Sequence, residues 1–278
     1  MWKTELKISE VEVIPVRVPL DIYYASSLGI RGESEFVLVR LINSEGLVGY
    51  GEASIENYWL NGETQDSVVS IISKYFLKHL IGERIRSISL IMRKISNAIP
   101  GNFYAKAAID IALHDLVCKQ LGISLSEYLG GPISKEVKVK FNIPITSKEE
   151  VERLSKQAKE KGFKTIKLKV GIDERTDLSN LQTIRTIVGD NVEIGVDANG
   201  AWRPKQAIRI IKKMEEFGLL FVEQPVPRWD LYGLKYVAKN VITPVMADES
   251  ISTPYDAISL VTVSYTHLRA HETRHDIV

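Results

Sequence analysis

The stretch Thr165–Ile166–Lys167–Leu168–Lys169–Val170 predicts a β-strand that carries two lysines two residues apart. Because side chains alternate between the two faces of a strand, Lys167 and Lys169 point to one face and the apolar residues to the other. In a parallel barrel the apolar face packs against helices, so we expect both lysines to point inward. Burying two ammonium groups is unfavourable unless negative charge lies nearby. The stretch therefore predicts acidic partners on neighbouring strands.

Acidic residues end the next three predicted strands. Asp197, Glu223 and Asp248 lie 26 and 25 residues apart along the chain, which is about one βα unit each. The C-terminal ends of barrel strands meet at one mouth, where active sites of this architecture lie. One acidic residue at a strand end is usually a helix cap or a solvated charge. Three in register opposite a Lys-x-Lys pair favour a shared cation, and all-oxygen ligands favour Mg²⁺.

Strand and helix patterns alternate around these residues from about Val137 onward. Ser147 and Glu150 predict a capping box at the start of one helix. Pro204 predicts the start of another helix and Gly218 its end. The last predicted strand covers residues 244–248. Repeated βα units of this kind indicate a parallel sheet.

The first part of the chain has a different order, with strands first and helices after them. A strand runs through Val11 to Val18, and two further strands flank a predicted turn at Asn43–Gly46. Helical periodicity follows over about residues 64–80, 86–98 and 102–120, the last ending near Gly122. This is an α+β pattern. We place the boundary between the two parts near Gly130–Pro132.

The composition is that of an ordinary globular protein. Hydrophobic residues make up 45% and charged residues 26%, with a formal net charge of +1. This balance favours neither nucleic acid nor an acidic membrane as a partner. No apolar run reaches the ~18 residues of a membrane span, and the start does not resemble a secretory signal. The single cysteine, Cys118, fits a reducing compartment, so we expect a cytoplasmic protein.

The predicted strand ends carry four short motifs, Lys167-Leu168-Lys169, Val196-Asp197-Ala198-Asn199, Val222-Glu223-Gln224-Pro225 and Ala247-Asp248-Glu249-Ser250. In order and spacing, these motifs resemble the signature run of the muconate-lactonizing subgroup of the enolase superfamily. Gly49–Ser54 and Ala107–Leu116 resemble its capping domain, and the resemblance extends from about residue 7 to about residue 260. It implies an α+β N-terminal capping domain over residues 1–130 and a truncated α/β barrel of the TIM type over residues 131–262.

The resemblance implies a mechanism and a role for each site residue. Asp197, Glu223 and Asp248 would bind Mg²⁺, and Lys169 would act as the acid/base that removes the proton α to a substrate carboxylate, giving a metal-stabilised enediolate. Lys167 would contact the substrate carboxylate and hold Lys169 partly neutral by like-charge repulsion. The full-length form is expected to be a homo-oligomer.

The substrate is expected to be a small carboxylate, chosen by loops over residues 23–32 and 52–63. Ser54–Tyr58 followed by Asn61-Gly62-Glu63 resembles dipeptide epimerases, which invert the α-carbon of the C-terminal residue of a dipeptide. Two alternatives, o-succinylbenzoate synthase and muconate cycloisomerase, share most of these motifs. A non-enzymatic binding protein on a barrel scaffold is a third, and alanine at Lys169 would then leave ligand affinity unchanged.

Residues 263–278 do not continue the pattern. The family would next supply a strand with a second lysine, whereas this segment resembles a translated sequencing adapter, so we interpret it as a non-native tail. Two-base epimerisation should then fail in this polypeptide. His271-Glu272-Thr273-Arg274-His275 matches the H-E-x-x-H motif of zinc hydrolases, but no third ligand follows it. If the protein is a zinc hydrolase, deleting the tail would abolish zinc binding. If it is an enolase-superfamily enzyme, the deletion would leave Mg²⁺ binding intact.

Overall fold

The computed structural model describes residues 7–55, 62–134 and 136–262. The chain divides into two compact units, the first formed by Met1–Asp21 with Gly32–Lys135 and the second by Ile22–Arg31 with Glu136–Val278. The short stretch Ile22–Arg31 is the tip of a β-hairpin whose two strands begin and end in the first unit. The second unit is therefore assembled from two separate parts of the chain.

The first unit begins with a three-stranded sheet. Strands β1 (Ile8–Ser26), β2 (Gly29–Asn43) and β3 (Val48–Ser54) are neighbours in that order, and β2 and β3 are antiparallel. The predicted turn between β2 and β3 is confirmed, because the Gly46 N–H donates to the Asn43 carbonyl at 3.0 Å. β1 is longer than predicted and continues into the hairpin tip.

Helices follow this sheet, as the α+β pattern predicted. The longest helix packs against β3 so closely that a Cβ on Gly51 would lie 1.9 Å from the Ala108 carbonyl oxygen. It ends at Gly122, as predicted, and this glycine adopts a left-handed conformation with φ 67°. Its Cys118 is a buried free thiol. The helical segments are α1 (Gln65–Ile71), a π-helical turn (Ile72–Phe76), α2 (Leu77–Leu80), α3 (Ile88–Ala98), α4 (Phe103–Leu121) and α5 (Leu125–Tyr128).

The second unit contains five parallel strands in the order β4-β5-β6-β7-β8, which confirms the predicted parallel, barrel-like α/β sheet. Each strand is followed by a helix, as the alternating pattern predicted. The elements are β4 (Phe141–Ile143), α6 (Lys148–Glu160), β5 (Thr165–Lys169), α7 (Glu174–Val188), β6 (Glu193–Asp197), α8 (Pro204–Met214), a 3₁₀ turn (Glu215–Phe217), β7 (Leu219–Glu223), α9 (Leu231–Ala238), β8 (Val245–Met246) and α10 (Pro254–Thr262).

Two local predictions need correction. Ser147 caps α6 by accepting the Glu150 N–H at 3.3 Å, but the Glu150 carboxylate pairs with Arg153 instead of completing the box. The last predicted strand was too long, because only Val245 and Met246 of residues 244–248 lie in β8. Pro204 is the first residue of α8, as predicted.

The faces of β5 are divided as the alternation predicted. Ile166 and Leu168 are fully buried in an apolar core that also contains residues of α7 and α8, such as Leu181 and Ile210. Lys167 and Lys169 lie on the opposite face of the strand, yet they are only 4% and 5% exposed. The sheet therefore has a polar interior beside an apolar outer layer. Among the described residues, no helix is long and apolar enough to span a bilayer.

Candidate active site and metal centre

Strand register brings the acidic residues together. Lys169 pairs with Asp197 in the β5–β6 ladder, and Asp197 pairs with Glu223 in the β6–β7 ladder. Asp248 lies two residues beyond the end of β8. Carboxylate oxygens of Asp197, Glu223 and Asp248 all lie within 4.8 Å of one another. The structure thus assembles one cluster from the three carboxylates that the sequence placed at successive strand ends.

Both lysines donate hydrogen bonds into this cluster. Lys167 Nζ lies 3.0 Å from Asp197 Oδ2 and 3.0 Å from Glu223 Oε1. Lys169 Nζ lies 2.5 Å from Asp197 Oδ2 and 2.7 Å from Asn199 Oδ1. Asp197 is therefore shared between the two ammonium groups, and Lys169 is held by the carboxylate and an amide together.

The charges of these groups change their pKa values. Burial alone would raise the pKa of Asp197, but the charges of Lys169 and Lys167 outweigh it and hold that pKa well below its usual range. Burial alone would lower the pKa of Lys169, but the charge of Asp197 outweighs it and raises the pKa. The expectation that Lys167 keeps Lys169 partly neutral is therefore wrong for this arrangement, because the shared carboxylate has the larger effect.

A glycine and an aromatic ring form the layer below the carboxylates. Gly195 pairs with Lys167 on one side and with Phe221 on the other. A Cβ on Gly195 would lie 2.2 Å from the Phe221 ring, so only glycine leaves room for that ring inside the sheet. Phe221 thus fills the interior one layer below Asp197 and Glu223.

Two polar residues beyond the predicted set extend the site. Asn199 Nδ2 donates to Glu249 Oε1 at 2.6 Å, which links Glu249 through Asn199 to Lys169. Asn199 has a left-handed backbone with φ 44°, and its N–H donates to Asp197 Oδ1 at 3.0 Å. Burial, together with the charges of Asp197 and Asp248, raises the pKa of Glu249 to about 7. The sequence held both residues in its motifs, but spacing alone did not assign them this contact.

The donor set fits a divalent cation. Three carboxylates, those of Asp197, Glu223 and Asp248, face only two lysines, which leaves one negative charge in excess. Burial, followed by the charges of Asp197 and Asp248, raises the pKa of the neighbouring Glu249. A hard cation with oxygen ligands offsets that excess, and Mg²⁺ prefers such ligands.

The hairpin tip Ile22–Arg31 contributes to the second unit beside this cluster. Ser27 Oγ donates to the Ala198 carbonyl at 2.9 Å and to the Asn199 carbonyl at 3.2 Å. The Ile145 N–H donates to the Ala25 carbonyl at 3.0 Å. The Tyr24 ring centroid lies 6.0 Å from Lys169 Nζ. The tip therefore fixes an aromatic face next to the predicted acid/base lysine.

Glu63 belongs to the stretch that we expected to choose the substrate. Within the first unit it is buried, and its two oxygens accept the N–H groups of Tyr104 and Ala105 at 2.9 and 3.1 Å. It therefore caps the start of α4, where Asn102 makes no side-chain cap. The neighbouring residues 56–61 and the tail 263–278, including the H-E-x-x-H string, lie outside the described residues.

Asp177 supports the loop that follows β5. Its Oδ2 accepts the Gly171 N–H at 2.9 Å, and the side chain is buried. Burial raises the pKa of Asp177 from 3.8 to about 6. The hydrogen bond from Gly171 opposes this shift, and the charges of Asp173 and Glu174 add to it. The loop behind Lys169 thus depends on a carboxyl group that titrates close to neutral pH.

Replacing Asp177 with asparagine should stabilise the protein more at pH 8 than at pH 5. A raised folded-state pKa means that the protonated form favours folding, so this contribution is lost as the pH rises through about 6. Asparagine keeps an acceptor for Gly171 without the charge. Urea unfolding should show that the variant gains about 1.5 kcal/mol over the wild type between the two pH values. Asp190→Asn, an exposed control, should show no such gain, and an equal gain in both variants would contradict the assignment.

Three carboxylates converge at the strand ends of this parallel β/α sheet, and two lysines lie beside them. This combination defines a metal-dependent barrel enzyme. Family profiles agree with this class. Residues 8–130 match the mandelate racemase / muconate lactonizing enzyme N-terminal domain, and residues 149–267 match the enolase C-terminal domain-like family. The chain belongs to the mandelate racemase and muconate lactonizing enzyme family of the enolase superfamily, which confirms the resemblance seen in the motifs.

Similar proteins carry epimerase names. An L-Ala-D/L-Glu epimerase from Clostridium acetobutylicum is 37% identical over 90% of this chain and 70% of its own length. The substrate-liganded L-Ala-D/L-Glu epimerase from Bacillus subtilis has a TM-score of 0.88 at 36% identity, covering 93% of this chain and 72% of that one. The dipeptide epimerase from Enterococcus faecalis, complexed with Mg and L-Leu-L-Tyr, has a TM-score of 0.88 at 32% identity, covering 94% and 72%. This chain thus spans about 70% of the length of such relatives.

Proposed function

We propose that this protein is a Mg²⁺-dependent dipeptide epimerase that removes the proton α to the C-terminal carboxylate of a dipeptide. The observation that carries the proposal is the cluster of Asp197, Glu223 and Asp248, with ligand atoms within 4.8 Å, directly beside Lys169. The similarity to named dipeptide epimerases supports the substrate class.

In this proposal the three carboxylates hold the cation and Lys169 is the acid/base. Bound Mg²⁺ supplies positive charge next to the substrate carboxylate, where negative charge accumulates when the α-proton leaves. Lys169 accepts that proton at Nζ and can return it only to the same face of the α-carbon, which exchanges the proton without inverting the centre. Inversion needs a proton donor on the opposite face, the role of the second lysine that the family supplies on a later strand. Asn199 keeps Nζ in place through its 2.7 Å contact.

Lys169 needs a free amine before it can act as a base. The charge of Asp197 raises the pKa of Lys169 in the structure. Lys169 would therefore lose its proton more easily once the negative charge of Asp197 is offset. Lys167 contacts both Asp197 and Glu223 and is proposed to orient the substrate carboxylate from the adjacent position.

The substrate partner is proposed to be a free dipeptide, and the functional form a homo-oligomer in the cytoplasm. The reduced, buried Cys118 supports a reducing compartment. The dipeptide assignment is preferred to o-succinylbenzoate synthase and muconate cycloisomerase because the similar proteins above carry dipeptide epimerase names.

Two measurements on the chain test this function. Calorimetry should detect Mg²⁺ binding, and ¹H NMR in D₂O should show loss of the C-terminal α-proton signal of L-Ala-L-Glu or L-Leu-L-Tyr when Mg²⁺ is present. The same dipeptides with a C-terminal amide should not exchange, because the carboxylate that faces the metal is missing. Exchange that persists in EDTA, or a chain that binds no Mg²⁺, would contradict the proposal.

A further inference from the structure

The sheet does not fix all three carboxylates in the same way. Asp197 and Glu223 lie within strands and pair with each other in the β6–β7 ladder. The β7–β8 ladder contains only two pairs, Val222 with Val245 and Glu223 with Met246. Asp248 therefore lies beyond the last pair described for the β7–β8 ladder.

The side chain of Gln224 forms hydrogen bonds with the residues that directly follow this ladder. Gln224 Oε1 accepts the Asp248 N–H at 2.9 Å and the Ser250 N–H at 3.2 Å. Its Nε2 donates to the Val226 carbonyl at 2.8 Å and to Ser250 Oγ at 2.9 Å. A glutamine amide has two donors and two acceptor positions, so these contacts use its whole hydrogen-bonding capacity.

The backbone of Gln224 is held equally firmly. Its N–H donates to the Met246 carbonyl at 2.8 Å, and its carbonyl accepts the Gly200 N–H at 2.7 Å. The residue adopts a positive φ of 39°, which non-glycine residues rarely do. Because the side chain is completely buried, it has no freedom to exchange these partners for water. A glutamine held in an unfavourable backbone conformation thus joins the ends of β7 and β8.

We propose that Gln224 is the positioning residue for Asp248, which it binds directly after the described β7–β8 pairs end. This inference rests on the proposed Mg²⁺ site and concerns how its third ligand is placed. Gln224 does not touch the cation in this scheme. Its amide oxygen holds the Asp248 N–H, and that bond sets where the Asp248 carboxylate can reach, as outer partners of metal ligands commonly do.

The test compares Mg²⁺ affinity between variants of the same chain. Gln224→Met keeps the volume but leaves the Asp248 and Ser250 N–H groups without their acceptor, so calorimetry should show binding about 10- to 100-fold weaker. Gln182→Met makes the same change on the exposed face of α7 and should bind like the wild type. Wild-type affinity in a folded Gln224→Met protein would overturn the inference, whereas a wild-type chain that binds no Mg²⁺ would instead sink the proposed function.

A conservative variant separates positioning from general support of the fold. Gln224→Glu keeps an oxygen for the Asp248 N–H, loses both Nε2 donors and adds a negative charge beside Asp248. It should therefore lower thermal stability while Mg²⁺ affinity stays at or above the wild-type value. Affinity that falls in step with stability in both variants would point to a purely structural role and overturn the inference.

Should Gln224→Met fail to fold, amide hydrogen exchange on the wild type decides the question. The Asp248 amide should exchange slowly in NMR spectra, because Gln224 Oε1 accepts its hydrogen. Exchange of that amide at the rate of an unprotected loop would contradict the proposed anchor.

Discussion

Replacing Asp197 with asparagine should weaken Mg²⁺ binding by more than about 100-fold, beyond the loss expected for an outer partner of a ligand. The variant keeps the shape of the side chain but removes one of the three negative charges that face the cation. It also removes the carboxylate that Lys167 and Lys169 share, so we expect a loss of about 3 kcal/mol in unfolding free energy.

Calorimetric titration and urea unfolding of the same preparations measure both effects. Asp190→Asn, at an exposed position before β6, provides the matched control and should change neither quantity. An Asp197→Asn protein with Mg²⁺ affinity within about threefold of the wild type would show that Asp197 is not a ligand.

Replacing Lys169 with methionine should reduce α-proton exchange of the dipeptide by about 10² to 10⁴, the usual contribution of a general base. Methionine fills a similar volume but has no amine, so the side chain at this position can no longer accept the proton. Mg²⁺ affinity should be unchanged or higher, because the variant removes a positive charge next to Asp197. Loss of exchange without loss of metal binding is the result that separates a catalytic role from a structural one.

NMR exchange rates in D₂O and calorimetry on the same variant give both numbers. Lys161→Ala, at the exposed end of α6, should exchange substrate at the wild-type rate. If Lys169→Met exchanged the α-proton as fast as the wild type, another group would have to be the base.

Periodicity was sufficient to predict the parallel sheet and the strand ends. Alternation along β5 separates Lys167 and Lys169 from Leu168 in any register, so their burial on one face follows from the strand itself. The spacing of Asp197, Glu223 and Asp248 follows the βα repeat, so their approach follows from parallel order.

The contacts of Asn199, Gln224 and Glu249 could not be predicted in the same way. Asn199 and Gln224 adopt left-handed backbones, with φ values of 44° and 39°, that local propensity disfavours and only tertiary contacts support. β8 is shorter than its sequence suggested, and beyond its end the Asp248 N–H donates to the side chain of Gln224. The direction of the pKa shift of Lys169 could not be predicted from the sequence either, because it depends mainly on the nearby carboxylate of Asp197.

The membership of Ile22–Arg31 in the second unit has a consequence for how this protein could be divided or recombined. A single cut near residue 135 separates the metal-binding residues from Ser27 and Tyr24. These two residues belong to the same compact unit as the cluster and lie beside the ends of its strands. A chimera that inherits only the later portion would carry every ionisable group of the cluster, yet lack the hydroxyl that ties down the Ala198 carbonyl and the ring beside Lys169. Transplanting this chemistry onto another scaffold therefore requires two inserts from distant parts of the gene.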